Sequence, residues 1–142
     1  MTEEIYHRKL VERAQTGRAQ GRLERPDATA TLDNPLCGDR VTIDLKLADG
    51  KVAAAGHKVR GCLLCEAAAA MVAEQAPGRS PSELIGLSDN LRAYLQQDGA
   101  LPAGWDCIDE FAPVKAVKSR HDCVLLPFRA LAQALKHAAK TG

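Results

Sequence analysis

The sequence predicts an α+β fold: a small antiparallel sheet of about three strands, covered on one face by several helices, in a single domain. Three observations carry this. Val41, Ile43, Leu45 and Leu47 alternate with Thr42, Asp44, Lys46 and Ala48, the period-two pattern of a half-buried strand. Asp49-Gly50 follows at once, a hairpin-turn signal that sends the chain back antiparallel. Beyond the return strand, Ala67 to Ala73 is rich in the best helix former and free of Gly and Pro, which predicts a helix packed on that sheet.

The 142 residues are most simply one domain, long enough to bury a core. With 19 basic and 18 acidic residues the net charge is +1, so charge gives no argument for a nucleic-acid or membrane partner. The longest uncharged runs, Ala67 to Ala73 and Gly99 to Trp105, are too short to span a bilayer. No basic segment leads into an apolar one at the N-terminus, so a soluble cytoplasmic protein is expected. In that compartment the five Cys stay mostly reduced, and their odd number forbids complete internal pairing.

Taken in order, residues 3–20 read as a charged helix with Ile5, Leu10 and Ala14 as a thin apolar stripe, ended by Gly17, Gly21 and Pro26. Ala28 to Leu32 is a weak strand candidate. Residues 41–48 and 51–59 form the hairpin, with Val52, Ala54 and Val59 as the inward positions of the return strand. A helix is expected from about Cys62 to Gln75, closed by Ala76-Pro77-Gly78. Ser80-Pro81-Ser82-Glu83 is a capping box with Pro at the first helical position, opening a short helix through Leu87. Ser88-Asp89-Asn90 reads as the cap of a further helix to about Gln97. Residues 99–114 read as an irregular loop with one helical turn near 108–111. The last helix is expected between Asp122 and about Lys140, its apolar face Leu125, Phe128, Leu131 and Leu135. Pro127 has no N–H to give the carbonyl of Cys123, so either the regular helix starts near Leu126 or its first turn is distorted.

Three stretches carry chemistry. Asn34-Pro35-Leu36-Cys37-Gly38-Asp39 is rich in turn formers and places a thiol and a carboxylate two apart. Gly61 lets the backbone take an unusual turn just before Cys62, which opens the Ala-rich helix, where unpaired N–H groups and the positive end of the helix dipole favour a thiolate. His121-Asp122-Cys123 precedes the last helix. The hairpin brings the first two stretches to the same end of the sheet. Cys37, Asp39, Cys62 and Cys123 then offer three sulfurs and one oxygen, a set that tetrahedral zinc accepts and whose thiolates suit an iron–sulfur cluster. The carboxylate is the harder, weaker corner, suited to transfer more than to storage. Cys65, on the same helix face as Cys62, and His121 are spare candidates. Cys107 reads as structural, and His7, His57 and His137 as surface residues. The basic run from Lys115 to Arg120 reads as a solvated face or a docking aid for an acidic surface.

Asn34-Pro35-x-Cys37-Gly38-Asp39, a hairpin, Gly61-Cys62 opening a small-residue helix and a late Cys before the last helix together resemble the iron–sulfur cluster assembly scaffolds of the IscU, SufU and NifU N-terminal type. Tyr6 and Gly21-x-Leu23 are similar to the family's N-terminal part. The resemblance covers about residues 5–140. It implies that Cys37, Asp39, Cys62 and Cys123 bind zinc, iron or a transient [2Fe–2S] cluster. It also implies a cysteine desulfurase as sulfur donor and apo iron–sulfur proteins as clients. The long step from Cys62 to Cys123 resembles the SufU branch, with residues of about 80–110 as its insertion. Asp122 stands where IscU-like members have His, and Cys65 where the family usually has a small polar residue.

The leading expectation is therefore a scaffold, monomeric or weakly self-associating, on which iron and sulfide are combined. It is not an enzyme in the turnover sense. An alternative is a zinc-dependent sulfur transferase whose Cys123 accepts persulfide sulfur from the desulfurase. A second alternative is a structural zinc module for protein interaction, against which the Asp ligand argues.

Overall fold

The computed structural model describes residues 3–36 and 38–141; of the sequence-predicted site, Cys37 lies outside the described residues. The order of elements is α1 (Glu3–Gln20), β1 (Ala28–Asn34), β2 (Asp39–Ala48), β3 (Lys51–Arg60), α2 (Leu63–Gln75), α3 (Pro81–Leu84), α4 (Leu87–Gln96), two 3-10 helices (Asp106–Ala116 and Lys118–Arg120) and α5 (His121–Thr141). The three strands form one antiparallel sheet in the order β1-β2-β3. The expected α+β domain is thus the observed one.

The helices lie on one face. Helix α5 packs on β1 and β2, α2 packs on β3, and α1 lies against α2. Val41, Ile43 and Leu45 of β2 are fully buried beneath them, together with Ala67 to Ala70 of α2 and Leu125, Phe128 and Leu131 of α5. The alanines do more than form a helix. They let α2 sit close to α1: a Cβ added at Gly17 would run into the Cβ of Ala70. Leu10 and Ala14 supply the buried stripe of α1, while the side chain of Ile5, like that of Tyr6, lies outside the described residues.

The opposite face is polar and locally closed. Thr31 and Thr42 pair across β1 and β2 through their hydroxyls at 2.9 Å. Asp44, wholly buried, takes both guanidinium contacts of Arg22 at 2.9 and 3.0 Å, the Thr29 hydroxyl at 2.7 Å and the N–H of Leu23 at 3.2 Å. Burial pushes its pKa up, and the Arg22 and Thr29 contacts outweigh that, so the carboxyl is held below its ordinary value. Gly56 permits this closure, because a Cβ there would meet the Leu23 nitrogen at 2.7 Å.

Several elements differ from expectation. The turn itself is as read, Asp49 and Gly50 both taking positive φ (53° and 74°), as a type I′ turn requires. The strand after it carries an irregularity: Leu47 pairs with Val52, but Lys46 pairs with Ala54. The extra residue, Ala53, switches the faces of β3 beyond it. Ala54, expected inward, pairs with Lys46, whereas Ala55 and His57 stand opposite the inward Leu45 and Ile43. His57, expected on the surface, is consequently buried, at 6% exposure.

Helix α3 ends at Leu84 rather than Leu87, with the predicted capping box in place. Helix α4 starts at Leu87 behind Gly86 and has no side-chain cap, so Ser88, Asp89 and Asn90 sit inside it. The stretch expected as a loop is mostly helical. Ile108, Phe111 and Val114 anchor the Asp106–Ala116 helix in the core, and Trp105 meets Phe128 edge to face at 5.8 Å. The 3-10 form tolerates Pro113 because short turns demand few N–H donors. Helix α5 starts at His121 and includes Pro127, so the expected interruption is absorbed within the helix. His137, expected on the surface, is half-buried, its Nδ1 2.9 Å from the carbonyl of Thr29.

Candidate metal centre

Three elements meet at one end of the sheet. Asp39 is the first residue of β2, Cys62 is the N-cap of α2 just beyond β3, and Cys123 lies in the first turn of α5. One ligand atom from each lies within 4.8 Å of the other two. The antiparallel register explains the first two: Arg40 pairs with Arg60, so the residues flanking that pair must converge. Helix α5, lying across β1 and β2, brings its first turn to the same end.

Asp39 is almost wholly buried, at 3% exposure. Its Oδ1 accepts the backbone N–H of Cys62 at 3.1 Å, and its Oδ2 lies 3.5 Å from the Cys62 Sγ. The carboxylate thus holds the N-cap residue from outside the helix, a role the sequence reading did not foresee. Gly61 makes room for it. The expected reason for Gly61 was an unusual backbone turn, but its φ is not among the positive ones. Instead, a Cβ at Gly61 would meet the Asp39 Cγ at 2.6 Å. Gly38, next to Cys37 in the sequence, does take a positive φ of 76°. The preceding turn is held by Asn34, whose Oδ1 accepts the Leu36 N–H at 3.1 Å and whose carbonyl accepts that of Gly38 at 2.8 Å.

The donor set fits a tetrahedral thiolate-binding metal. Ligands about 2.3 Å from such an ion are separated from each other by about 3.7 Å, so groups already within 4.8 Å need only a small contraction. Two sulfurs and one carboxylate oxygen suit zinc or thiolate-bound iron. Cys123 is 1% exposed and Cys62 half-buried, so Cys62 presents the more open face of the group.

The spare candidates separate. His121 is buried, and its Nε2 lies 2.9 Å from the carbonyl of Val114 and 3.2 Å from that of Lys115. It ties the start of α5 to the 3-10 helix before it, and it is not in the cluster. Residues 121–123 are helical, so His121 and Cys123, two positions apart, do not share a face. Cys65 is fully buried in the core and is likewise outside the cluster. Cys107 is far along the chain in the 3-10 helix, and burial pushes its thiol pKa up, away from nucleophile behaviour. Within the basic run, Lys115 is engaged by Asp98 at 2.9 Å and by the Tyr94 ring at 4.0 Å, while Lys118 and Arg120 stay exposed.

Comparison with known proteins places this geometry. Residues 5–100 match the sequence profile of the NifU-like N-terminal domain, so the chain belongs to that family. Over 98 residues it is 30% identical to the iron–sulfur cluster assembly scaffold protein IscU 1 of Archaeoglobus fulgidus, covering 69% of this chain and 63% of that protein. The chain therefore spans less than two thirds of that relative. A Thermotoga maritima scaffold protein IscU is 23% identical over 96% of both chains. Among solved structures, a nitrogen-fixing NifU-like protein (N-terminal) from Brucella abortus superposes with a TM-score of 0.88 at 32% identity, covering 99% of this chain and 98% of that one. The SUF-system scaffold protein of Fervidobacterium islandicum shares the fold, with a TM-score of 0.81 at 22% identity over 95% and 96% of the two chains. No helix among the described residues is long and apolar enough to cross a membrane.

Proposed function

We propose that this chain is an iron–sulfur cluster assembly scaffold. Cys37, Asp39, Cys62 and Cys123 hold iron or a transient [2Fe–2S] cluster, or zinc in the resting protein. Sulfur arrives from a cysteine desulfurase with Cys123 as its acceptor, and the product passes to apo iron–sulfur proteins. Residues of about 80–110 are the insertion of a SufU-type member. The protein works in the cytoplasm, as a monomer or weak homo-oligomer. The observation that carries the reading is the buried Asp39 carboxylate set within 4.8 Å of the Cys62 and Cys123 sulfurs. A cluster meant to leave needs one corner that releases readily, and an oxygen ligand among thiolates is that corner.

The test is anaerobic incubation with ferrous iron, cysteine and a cysteine desulfurase, followed by visible absorption and elemental analysis. Charge-transfer bands with iron and sulfide in equal amounts, transferable to an apo-ferredoxin, are expected. Retained zinc with a persulfide and no chromophore would replace the scaffold by a zinc-dependent sulfur transferase. Zinc with neither would leave a structural module.

A further inference from the structure

Sulfur from a desulfurase arrives as sulfane sulfur, at the oxidation level of the element, whereas a cluster takes sulfide. Two electrons per sulfur must come from somewhere. The residue not used by the metal centre, Cys65, stands one helical turn beyond Cys62, at the third helical position after the N-cap.

We infer that Cys62 and Cys65 form a reducing dithiol, in which Cys65 releases sulfide from a persulfide on Cys62 by closing the Cys62–Cys65 disulfide. The inference rests on the sulfur-accepting role proposed above. Sulfane sulfur reaching Cys123 is within exchange distance of Cys62, since their sulfurs lie within 4.8 Å. The Cys62 thiolate takes the outer sulfur and leaves Cys123 as thiolate. The Cys65 sulfur then attacks the Cys62 Sγ. The bond between Cys62 Sγ and the outer sulfur breaks, the bond between the two cysteine sulfurs forms, and the Cys65 proton goes to the departing sulfur. The outer sulfur is reduced by two electrons to hydrogen sulfide, and the two thiols are oxidised together to one disulfide. No outside oxidant is needed. An external dithiol resets the pair by exchange.

The local geometry supports the closure. Positions three apart at a helix start have Cα atoms about 5 Å apart, inside the span of about 4.4–6.8 Å that disulfides use. The helix register is set, the Glu66 N–H reaching the Cys62 carbonyl at 3.0 Å. Elsewhere in this chain the same two positions touch: at α3 the N-cap Ser80 Oγ and the Glu83 Oε1 are 3.2 Å apart. Exposure divides the roles. Cys62 is half-buried and reachable by a donor, whereas Cys65 is 0% exposed, which shields the electron-donating thiol from external disulfides and oxidants. A dithiol at a helix N-terminus, outer Cys attacked and inner Cys resolving, is the arrangement that makes such pairs effective in exchange.

The test uses the full chain, fully reduced, freed of other thiols and kept anaerobic, with one equivalent of cysteine, consumed as the sulfur donor, and a catalytic amount of desulfurase. Sulfide is trapped and the tryptic peptide from Gly61 to Arg79, which holds both thiols, is weighed. The expected result is about one sulfide per chain without added reductant, and a peptide about 2 Da lighter than the dithiol. In Cys65→Ala, sulfide should fall at least tenfold while persulfide, about 32 Da, accumulates on the chain. Persulfide that persists in the native protein without sulfide would overturn the inference and leave the scaffold reading standing. No sulfur on either protein would remove both. A second arm needs no donor: one equivalent of Ellman's reagent should release two thionitrobenzoates from the native chain, with Cys62 and Cys65 joined in the peptide map. A native map showing Cys62 joined elsewhere, or left as the mixed disulfide, would overturn the inference even if the variant fails to fold.

Discussion

Two helices of this molecule begin in the same way on paper and differ in what occupies the start. At α3 the N-cap is Ser80: its hydroxyl oxygen accepts the Glu83 N–H at 3.4 Å, and the Glu83 carboxylate reaches back to the Ser80 N–H at 3.4 Å. The orphan donors of that helix end are answered from within the helix itself. At α2 the N-cap is Cys62, in the same extended conformation (φ −75°, ψ 167°) but with no side-chain cap. Its own N–H is answered from another element, by Asp39. One start is closed by local sequence, and the other is held open by tertiary structure, with a thiol and a carboxylate facing each other. On the function proposed above, the difference marks where stability is given up for chemistry.

The sharpest way to break α2's arrangement is to remove the space that Asp39 occupies. Gly61→Ala puts a methyl group 2.6 Å from the Asp39 Cγ and 3.0 Å from its Cβ, so the carboxylate must shift. Zinc or iron affinity should fall at least 100-fold while far-UV circular dichroism is retained; undiminished metal content by elemental analysis would contradict the steric role of Gly61. Next in size is Cys62→Ser, which gives α2 the kind of cap that α3 has. Apo-protein stability should rise by about 0.5–1 kcal/mol, because Ser caps helices well, while metal affinity falls at least tenfold. Cys37→Ser and Cys123→Ser should match the metal loss without the gain in stability, and Cys107→Ser should change neither. Metal loss in Cys107→Ser would sink the assignment of the site.

Asp39→Ala should act in two opposed ways. The weak oxygen corner disappears, so bound cluster or metal should exchange several-fold more slowly, read by transfer to apo-ferredoxin. The Cys62 N–H also loses its acceptor, at a cost of about 1–3 kcal/mol in apo stability. Faster exchange would count against the carboxylate as the labile corner.

Much of this contrast was legible in the sequence, because the signals were local. The capping box at Ser80, the Asp49-Gly50 turn and the alternation in β2 depend on neighbours within a few residues, and all three are where they were read. Asp39 and Cys62 were legible together because a hairpin converts a long sequence separation into proximity. What was not legible depended on packing. Gly61 was assigned a conformational role, when its role is to leave room for a side chain more than twenty residues away. The 3-10 helix from Asp106 to Ala116 has too many Gly and Pro neighbours to show a helical period, and burial of Ile108 and Phe111 sets its course. His121 was drawn toward the metal by its nearness to Cys123, yet one helical turn sends its ring to the carbonyl of Val114.

The smallest expected effect tests a second uncompensated group beside α2. The extra residue at Ala53 turns the His57 ring inward toward Gly17, and neither ring nitrogen finds a partner among the described residues. Burial holds its pKa below the ordinary value, and the charges of Glu66 and Glu74 only partly oppose this. The unfolded chain therefore takes up this proton first, at about pH 6.5. The contribution is fully present above that pH and is lost as pH falls below it toward the lower folded value. His57→Leu keeps the volume close and removes both unanswered nitrogens. It should raise stability by about 1 kcal/mol at neutral pH and flatten the decline between neutral and mildly acidic pH. Chemical denaturation of the apo-protein across that range checks both. An unchanged slope would mean that the proton lost on folding belongs to another group, and that the ring's isolation costs the fold nothing. Ser80→Ala is the matched control at α3: about 1 kcal/mol is lost with the pH slope untouched, because the substitution leaves His57 and its surroundings as they are.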